Sequence, residues 1–298
     1  MKTVSPIAGR TGLASVVIGA FAGLAFTPMV RAADWSDTAL SLRYGTQFAE
    51  PYDNDADGSR TDIAKTILAF TNVTGYKYGS TFVNIDFLQS DSKDPGGGVA
   101  GNPGAQEVYG VFRTTVDLGK VTGASLKMGP VRGLGVTAGF DVNTKNDGYA
   151  SKKRMAVVGP TVMMEVPGFL NLSALLFDES NAPQAITRRY HYKNHVAFEA
   201  DWGIGIGSLP LSFNGYAQWI TAKGKDEFGA QTAPESHVDM DLMLDAGALA
   251  GGSKKTWLVG VEYEYWHNKF GNKTATGPFL AGNGATASTP MVRLEYHF

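Results

Sequence analysis

The sequence predicts an all-β chain, a transmembrane antiparallel β-barrel of about twelve strands. Three observations carry that expectation. Runs of about 10–13 residues alternate apolar and polar side chains with period two. The connections between the runs are alternately long and short. The last run alternates up to Phe298, where the sequence stops.

Composition is consistent with this and excludes several other classes. The 298 residues include 26 Lys plus Arg, 28 Asp plus Glu, 37 Gly and no Cys, with 43% hydrophobic and 11% aromatic residues. A mean hydropathy of -0.11 excludes a polytopic helical membrane protein, which needs several uncharged stretches of about 20 apolar residues. The aromatic content argues against disorder, and the absence of cysteine excludes a disulfide scaffold. The near-neutral charge offers no basic stripe for nucleic acid. A barrel is compatible with such an average, because alternating apolar and polar residues cancel in it.

Residues 1–32 read as a signal peptide and 33–298 as the barrel. Lys2 and Arg10 precede an uncharged run from Thr11 to Val30, and Val30-Arg31-Ala32 supplies small residues for cleavage after Ala32. An inner-membrane anchor helix is the competing reading, weakened by Gly12, Gly19, Gly23 and Pro28. Removing Lys2, Arg10 and Arg31 leaves 23 basic against 28 acidic residues, a net charge of -5.

Strands are expected near 38–48, 64–74, 80–89, 106–117, 131–142, 153–164, 169–179, 190–202, 210–221, 236–246, 256–267 and 289–298. In the ninth, Leu211, Phe213, Ala217 and Trp219 share one face, and Ser212, Asn214, Tyr216 and Gln218 the other. Val238, Met240, Leu242 and Leu244 alternate with His237, Asp239, Asp241 and Asp245. Trp257, Val259, Val261, Tyr263 and Tyr265 alternate with Gly260, Glu262 and Glu264. Soluble strands usually run about 5–6 residues, whereas a tilted strand crossing a bilayer needs about 9–11.

Connections 49–63, 90–105, 143–152, 180–189, 222–235 and 268–288 are long, while 75–79, 165–168 and 203–209 are short turns built on Gly or Pro. Long loops on one side and short turns on the other are the habit of outer-membrane barrels. Connections 118–130 and 247–255 depart from it. In the last run Val292, Leu294, Tyr296 and Phe298 share a face opposite Arg293, Glu295 and His297. That ending resembles the C-terminal signature of bacterial outer-membrane proteins, which implies recognition of Phe298 by the barrel-assembly machinery.

The segment Trp257-Leu-Val-Gly-Val-Glu-Tyr-Glu-Tyr265-Trp266-His267 resembles the penultimate strand of the Tsx-like nucleoside-specific channels of Gram-negative outer membranes. Ala33-Asp34-Trp35, the segment 48–51 and the closing Tyr296-His297-Phe298 are similar as well. The resemblance implies a twelve-stranded barrel in the bacterial outer membrane that passes nucleosides passively. It implies no enzyme activity and no cofactor, and assigns no individual site residue.

A nucleoside offers an aromatic face and several hydroxyls and carries no charge, so its site needs aromatic surfaces and hydrogen-bonding groups. Period two makes Arg43, Gln47, Phe82, Asn84, Asp86, Glu107, Tyr109 and Arg113 lumen candidates. Asn214, Tyr216, Gln218, Glu262, Glu264, Trp266, Arg293 and Glu295 complete the set. The plainer reading is that such charges form structural ion pairs, for instance Arg293 with Glu262. An acidic ladder of Asp239, Asp241, Asp245, Glu262 and Glu264 is expected to face Arg43, Arg113 and Lys193 across the pore. A general, cation-preferring porin is the rival interpretation.

Other motifs are weaker. Asp53-Asn-Asp55-Ala-Asp57-Gly58 matches half of a calcium loop, but position twelve is Ala64 and a solvated acidic loop is the simpler reading. Lys152-Lys153-Arg154 and Arg188-Arg189 stand at outer strand ends, where they either meet lipopolysaccharide phosphates or stay hydrated. Gly203-Ile-Gly205-Ile-Gly207 lacks the Lys-Ser/Thr of a phosphate loop. His191 and His195 lie about 13 Å apart along a strand and cannot share a metal. An outer-membrane hydrolase is therefore the third reading, and no catalytic or metal-binding residue is assigned.

Overall fold

A computed structural model describes residues 33–277 and 280–298. The signal peptide assigned to 1–32 lies outside the described residues.

The elements follow the predicted order. They are β1 (Ala33–Phe48), β2 (Ile63–Tyr76), β3 (Gly79–Ser90), β4 (Gln106–Asp117), β5 (Val131–Lys145), β6 (Arg154–Met164) and β7 (Gly168–Asn181). Then come β8 (Tyr190–His191), β9 (His195–Gly205), β10 (Leu211–Ile220), β11 (Glu235–Asp245), β12 (Trp257–His267) and β13 (Thr286–His297). Each long strand pairs antiparallel with its sequence neighbours, and β1 pairs with β13. The ring is therefore closed with twelve long strands, and no row of backbone donors is left at an edge. β8 is a two-residue addition to the end of β7, so the run expected at 190–202 is interrupted before His195.

Alternation along the strands separates two environments. Leu42, Tyr44, Phe140, Val158, Phe198, Val261 and Val292 face outward and are about half exposed. Their sequence neighbours Arg43, Asp141, Val157, Ala197, Glu262 and Met291 face inward and are buried. Water would penalise so continuous an apolar outer surface, whereas hydrocarbon does not. The fold is that of a transmembrane barrel.

The interior is not uniformly polar. Met155, Val157, Leu175, Phe177, Ala197 and Ile220 form an apolar cluster on one inner wall. Phe48, Ile63, Ile67 and Met291 form a second one, with Leu88 packed against it.

The two connections that departed from the short-turn habit hold helical turns. Leu118–Thr122 is capped by Asp117, whose side chain accepts from Lys120 N at 3.2 Å. Ala246–Leu249 is capped by Asp245, which accepts from Ala248 N at 2.9 Å. Both caps satisfy helix N–H groups that would otherwise lack partners.

Candidate functional site: the barrel lumen

Register places Arg43, Phe82, Asn84, Asp86, Glu107, Tyr109, Arg113, Asn214, Tyr216, Gln218, Glu262, Glu264, Trp266, Arg293 and Glu295 on the lumen side. Three of the expected placements are corrected. A register shift between Gly45 and Phe48 turns Phe48 inward and leaves Gln47 exposed. Lys193 lies in the connection before β9 and is exposed, because the strand breaks there. Asp245 caps the helical turn after β11 and so leaves the acidic ladder.

A belt of ion pairs runs around the lumen wall from β3 through β1, β13 and β12 to β11, so Arg43 lies beside the acidic ladder and not across the pore from it as expected. Arg43 sits between Asp86, at 2.5 Å, and Glu262, at 3.1 Å. Arg293 reaches Asp241 at 3.1 Å, Glu262 at 3.0 Å and Glu295 at 2.5 Å. Glu262 thus serves two guanidiniums, one per oxygen, and its side chain is fully buried. Asn84 donates to Asp86 at 2.9 Å, and Asn214 to Asp241 at 2.7 Å. A second centre lies at β4 and β5, where Arg113 pairs with Asp141, which also accepts from the Tyr109 hydroxyl at 3.1 Å. Gly139 stands opposite Arg113, and a Cβ there would lie 2.0 Å from Phe112 O and 2.9 Å from Arg113 Cδ. Only glycine leaves room for that arginine arm.

The belt is short of positive charge on one wall. Asp239 stands directly opposite Glu264, and Asp241 opposite Glu262, across β11 and β12. Like charges at such positions repel unless cations intervene. The two arginines engage Asp241 and Glu262, while the ion-pair partner of Glu264 among the described residues is His237, at 3.6 Å.

Aromatic rings occupy the same wall. Trp266 and His237 stack with centroids 3.9 Å apart and planes 8° apart. Tyr216 meets His237 edge-on at 5.1 Å, and Phe270 meets Trp266 at 4.7 Å. The Trp266 indole donates to Glu235 at 3.3 Å.

The long-loop mouth is drawn in over the lumen. Glu50, just after β1, receives Lys65 at 2.5 Å and Lys145 and Lys269 at 3.4 Å each. Burial alone would raise the Glu50 carboxyl, but the three ammonium groups outweigh it and hold the group well below its usual value. Lys269 also donates to Ala49 O at 2.9 Å, and Tyr52 N to Ala281 O at 2.9 Å, so the first and last long connections are tied together. On the other side Glu179 gathers Lys223 at 2.9 Å, Lys153 at 3.6 Å and His195 at 3.6 Å.

Sequence reading missed Glu50, Asp141, Lys145 and Glu179. Extending the period-two count along β5 and β7 finds Asp141, Lys145 and Glu179. Glu50 carries no periodic signal, because it lies in a connection. In the acidic loop Asp55 accepts from Thr61 at 3.0 Å and Asp57 from Ser59 at 2.6 Å. No group of three or more His, Asp or Glu side chains placed to hold a metal occurs among the described residues.

Together these features define a class: a twelve-stranded transmembrane barrel with an apolar exterior and a lumen lined by charged and aromatic side chains. No protein-family model matches the chain, and no curated protein matches it. Among solved structures it is similar to a KdgM porin, at 10% identity over 87% of this chain and 99% of that one, with a TM-score of 0.41. It is also similar to the translocator domain of autotransporter NalP from Neisseria meningitidis, at 10% identity over 88% of each chain and a TM-score of 0.41. The anion-selective porin from Comamonas acidovorans is a third, at 9% identity over 88% of this chain and 98% of that one, with a TM-score of 0.34. Likeness at this level carries no argument about function, which rests on the residues themselves.

Proposed function

We propose that the chain is a bacterial outer-membrane channel that passes small polar solutes, nucleosides above all, by facilitated diffusion. The observation that carries the reading is the Trp266–His237 stack, edged by Tyr216, inside the charged lumen. An aromatic surface holds a nucleobase by stacking, worth about 1–3 kcal/mol per base in nucleic-acid proteins. Glu235 and Glu264, beside those rings, accept hydrogen bonds from ribose hydroxyls or exocyclic amines. The resemblance of residues 257–267 to the Tsx-like strand points the same way. In this reading the arginine belt sets the width of the passage and the aromatic wall sets the preference. Residues 1–32 direct export, and Phe298 engages the assembly machinery.

A second reading is a cation-preferring pore. It is favoured by the lumen carboxylates Asp239, Glu264, Glu199 and Asp201, which no arginine or lysine reaches in an ion pair among the described residues.

Planar-bilayer recording with titrated nucleosides tests both. Saturable block by adenosine or thymidine, absent with sugars and amino acids, is the expected result. Block by sugars alone rejects the nucleoside reading. A strong cation preference in a salt gradient, indifferent to nucleosides, selects the second.

A further inference from the structure

Lys152, Arg154, Arg188 and Arg189 have no part in the lumen. Arg154 stands opposite Ser180 in the β6–β7 register, on the outer face and at the end of the long connections. Arg189 arrives at the same place from the connection after β7. Its Nη1 donates to Lys152 O at 2.9 Å and to Ser180 Oγ at 3.3 Å. Burial and then the neighbouring Arg154 charge hold the Arg189 guanidinium below its usual value, so the two cations are close enough to repel. Lys153, between Lys152 and Arg154, turns inward to Glu179 at 3.6 Å, but none of Lys152, Arg154, Arg188 and Arg189 makes an ion pair among the described residues. The acid on this outer face is Asp178, opposite Ala156 one row nearer the membrane centre, and it too makes no ion pair among the described residues.

The surface toward the membrane is concave as well as apolar. Val158 and Leu176 pair below Asp178 and are 48% and 46% exposed. Beyond them a groove of about 610 Å³ crosses β6, β7, β9, β10 and β11, with Pro160, Leu172, Ala174, Ala200 and Ala217 among its lining residues. Phe198 and Trp219, stacked at 5.9 Å, form one wall. Most of an outer barrel surface is convex, so small side chains flanked by a stacked aromatic pair make a seat for a chain.

We propose that this face binds a phosphorylated, multiply acylated lipid of the outer leaflet, with its phosphate on Arg154, Arg189 and Lys152 and an acyl chain in the Pro160–Trp219 groove. The placement rests on the outer-membrane reading, which puts the long connections at the outer leaflet. Guanidinium groups suit phosphate because they donate in a planar fork. A phosphate also relieves the repulsion between Arg154 and Arg189, which no carboxylate among the described residues does through an ion pair.

The test uses the full barrel in a neutral detergent, with bisphosphorylated lipid A added and retained lipid counted by native mass spectrometry. The R154Q/R189Q double variant is expected to retain about thirtyfold less than wild type, following the usual surface contribution of the two basic residues. Asp178→Asn is expected to increase retention by removing the opposing charge, and Ala200→Phe to reduce it by filling the groove. Wild-type retention in the folded double variant, unchanged retention in Asp178→Asn, or equal retention of dephosphorylated lipid A overturns the proposal. So does displacement of the lipid by inorganic phosphate alone, which marks a simple anion site. Channel conductance and nucleoside block are expected to be unchanged in R154Q/R189Q. Loss of the channel reading therefore appears in the bilayer recordings and loss of the lipid seat in the mass spectra.

Discussion

Arg43 Nη1 lies 3.1 Å from Glu262 Oε1, although 219 residues separate them and β13 lies between their strands. The contact exists only because β1 closes on β13 and brings the two ends of the barrel sequence together. Arg293, on the intervening strand, takes the other Glu262 oxygen at 3.0 Å, so one carboxylate holds three strands at the seam.

Glu262→Gln is therefore expected to loosen the seam and widen the passage together. The arginines keep Asp86, Asp241 and Glu295, so the cost is that of a poorly satisfied buried group, about 1–3 kcal/mol. Heat-modifiable migration on gels should shift to lower temperature, and single-channel conductance should rise.

Trp266→Ala removes the largest ring of the stacked wall. If stacking holds the base, the adenosine concentration giving half-block rises by about tenfold. Leu242→Ala, on the outer face of a neighbouring strand, should leave that concentration unchanged.

The mouth carries a pH dependence of known sign. Glu50 is held well below its usual value by Lys145, Lys269 and Lys65 acting against burial. A carboxylate depressed in the folded state stabilises fully above its unfolded value, and the contribution is lost as pH falls toward the folded one. The first connection should thus stay closed from neutral pH into mild acid and open only in strong acid. Glu50→Gln should make residues 49–62 sensitive to protease at neutral pH and abolish that acid transition.

The outer belt predicts an insertion defect. Val261 is 58% exposed on the outer face. Arginine at a lipid-facing barrel position costs about 2–4 kcal/mol at the midplane. Val261→Arg should lower the yield of folded barrel in phospholipid vesicles, with a smaller effect in detergent micelles.

Period two separated Arg43 from Leu42 and Glu262 from Val261, because in a strand it is geometrically forced that neighbours point apart. It failed at Gln47, where a bulge breaks the count, and at Lys193, where the chain leaves the sheet for three residues. It also gave no warning of Leu175 and Phe177, apolar residues on the inner wall, because periodicity marks a face and not its polarity.

The order of residues alone determined the barrel, its strand number and, away from the bulge at Gln47, the face each strand side chain takes, since these follow from local alternation and connection length. Which charges meet was decided by closure of the ring. Arg43 pairs with Glu262, and Glu50 with Lys145 and Lys269, through contacts between segments distant in sequence. Coulomb energy depends on distance in space, and in this chain that distance is set by the register of twelve strands and the infolding of the long connections.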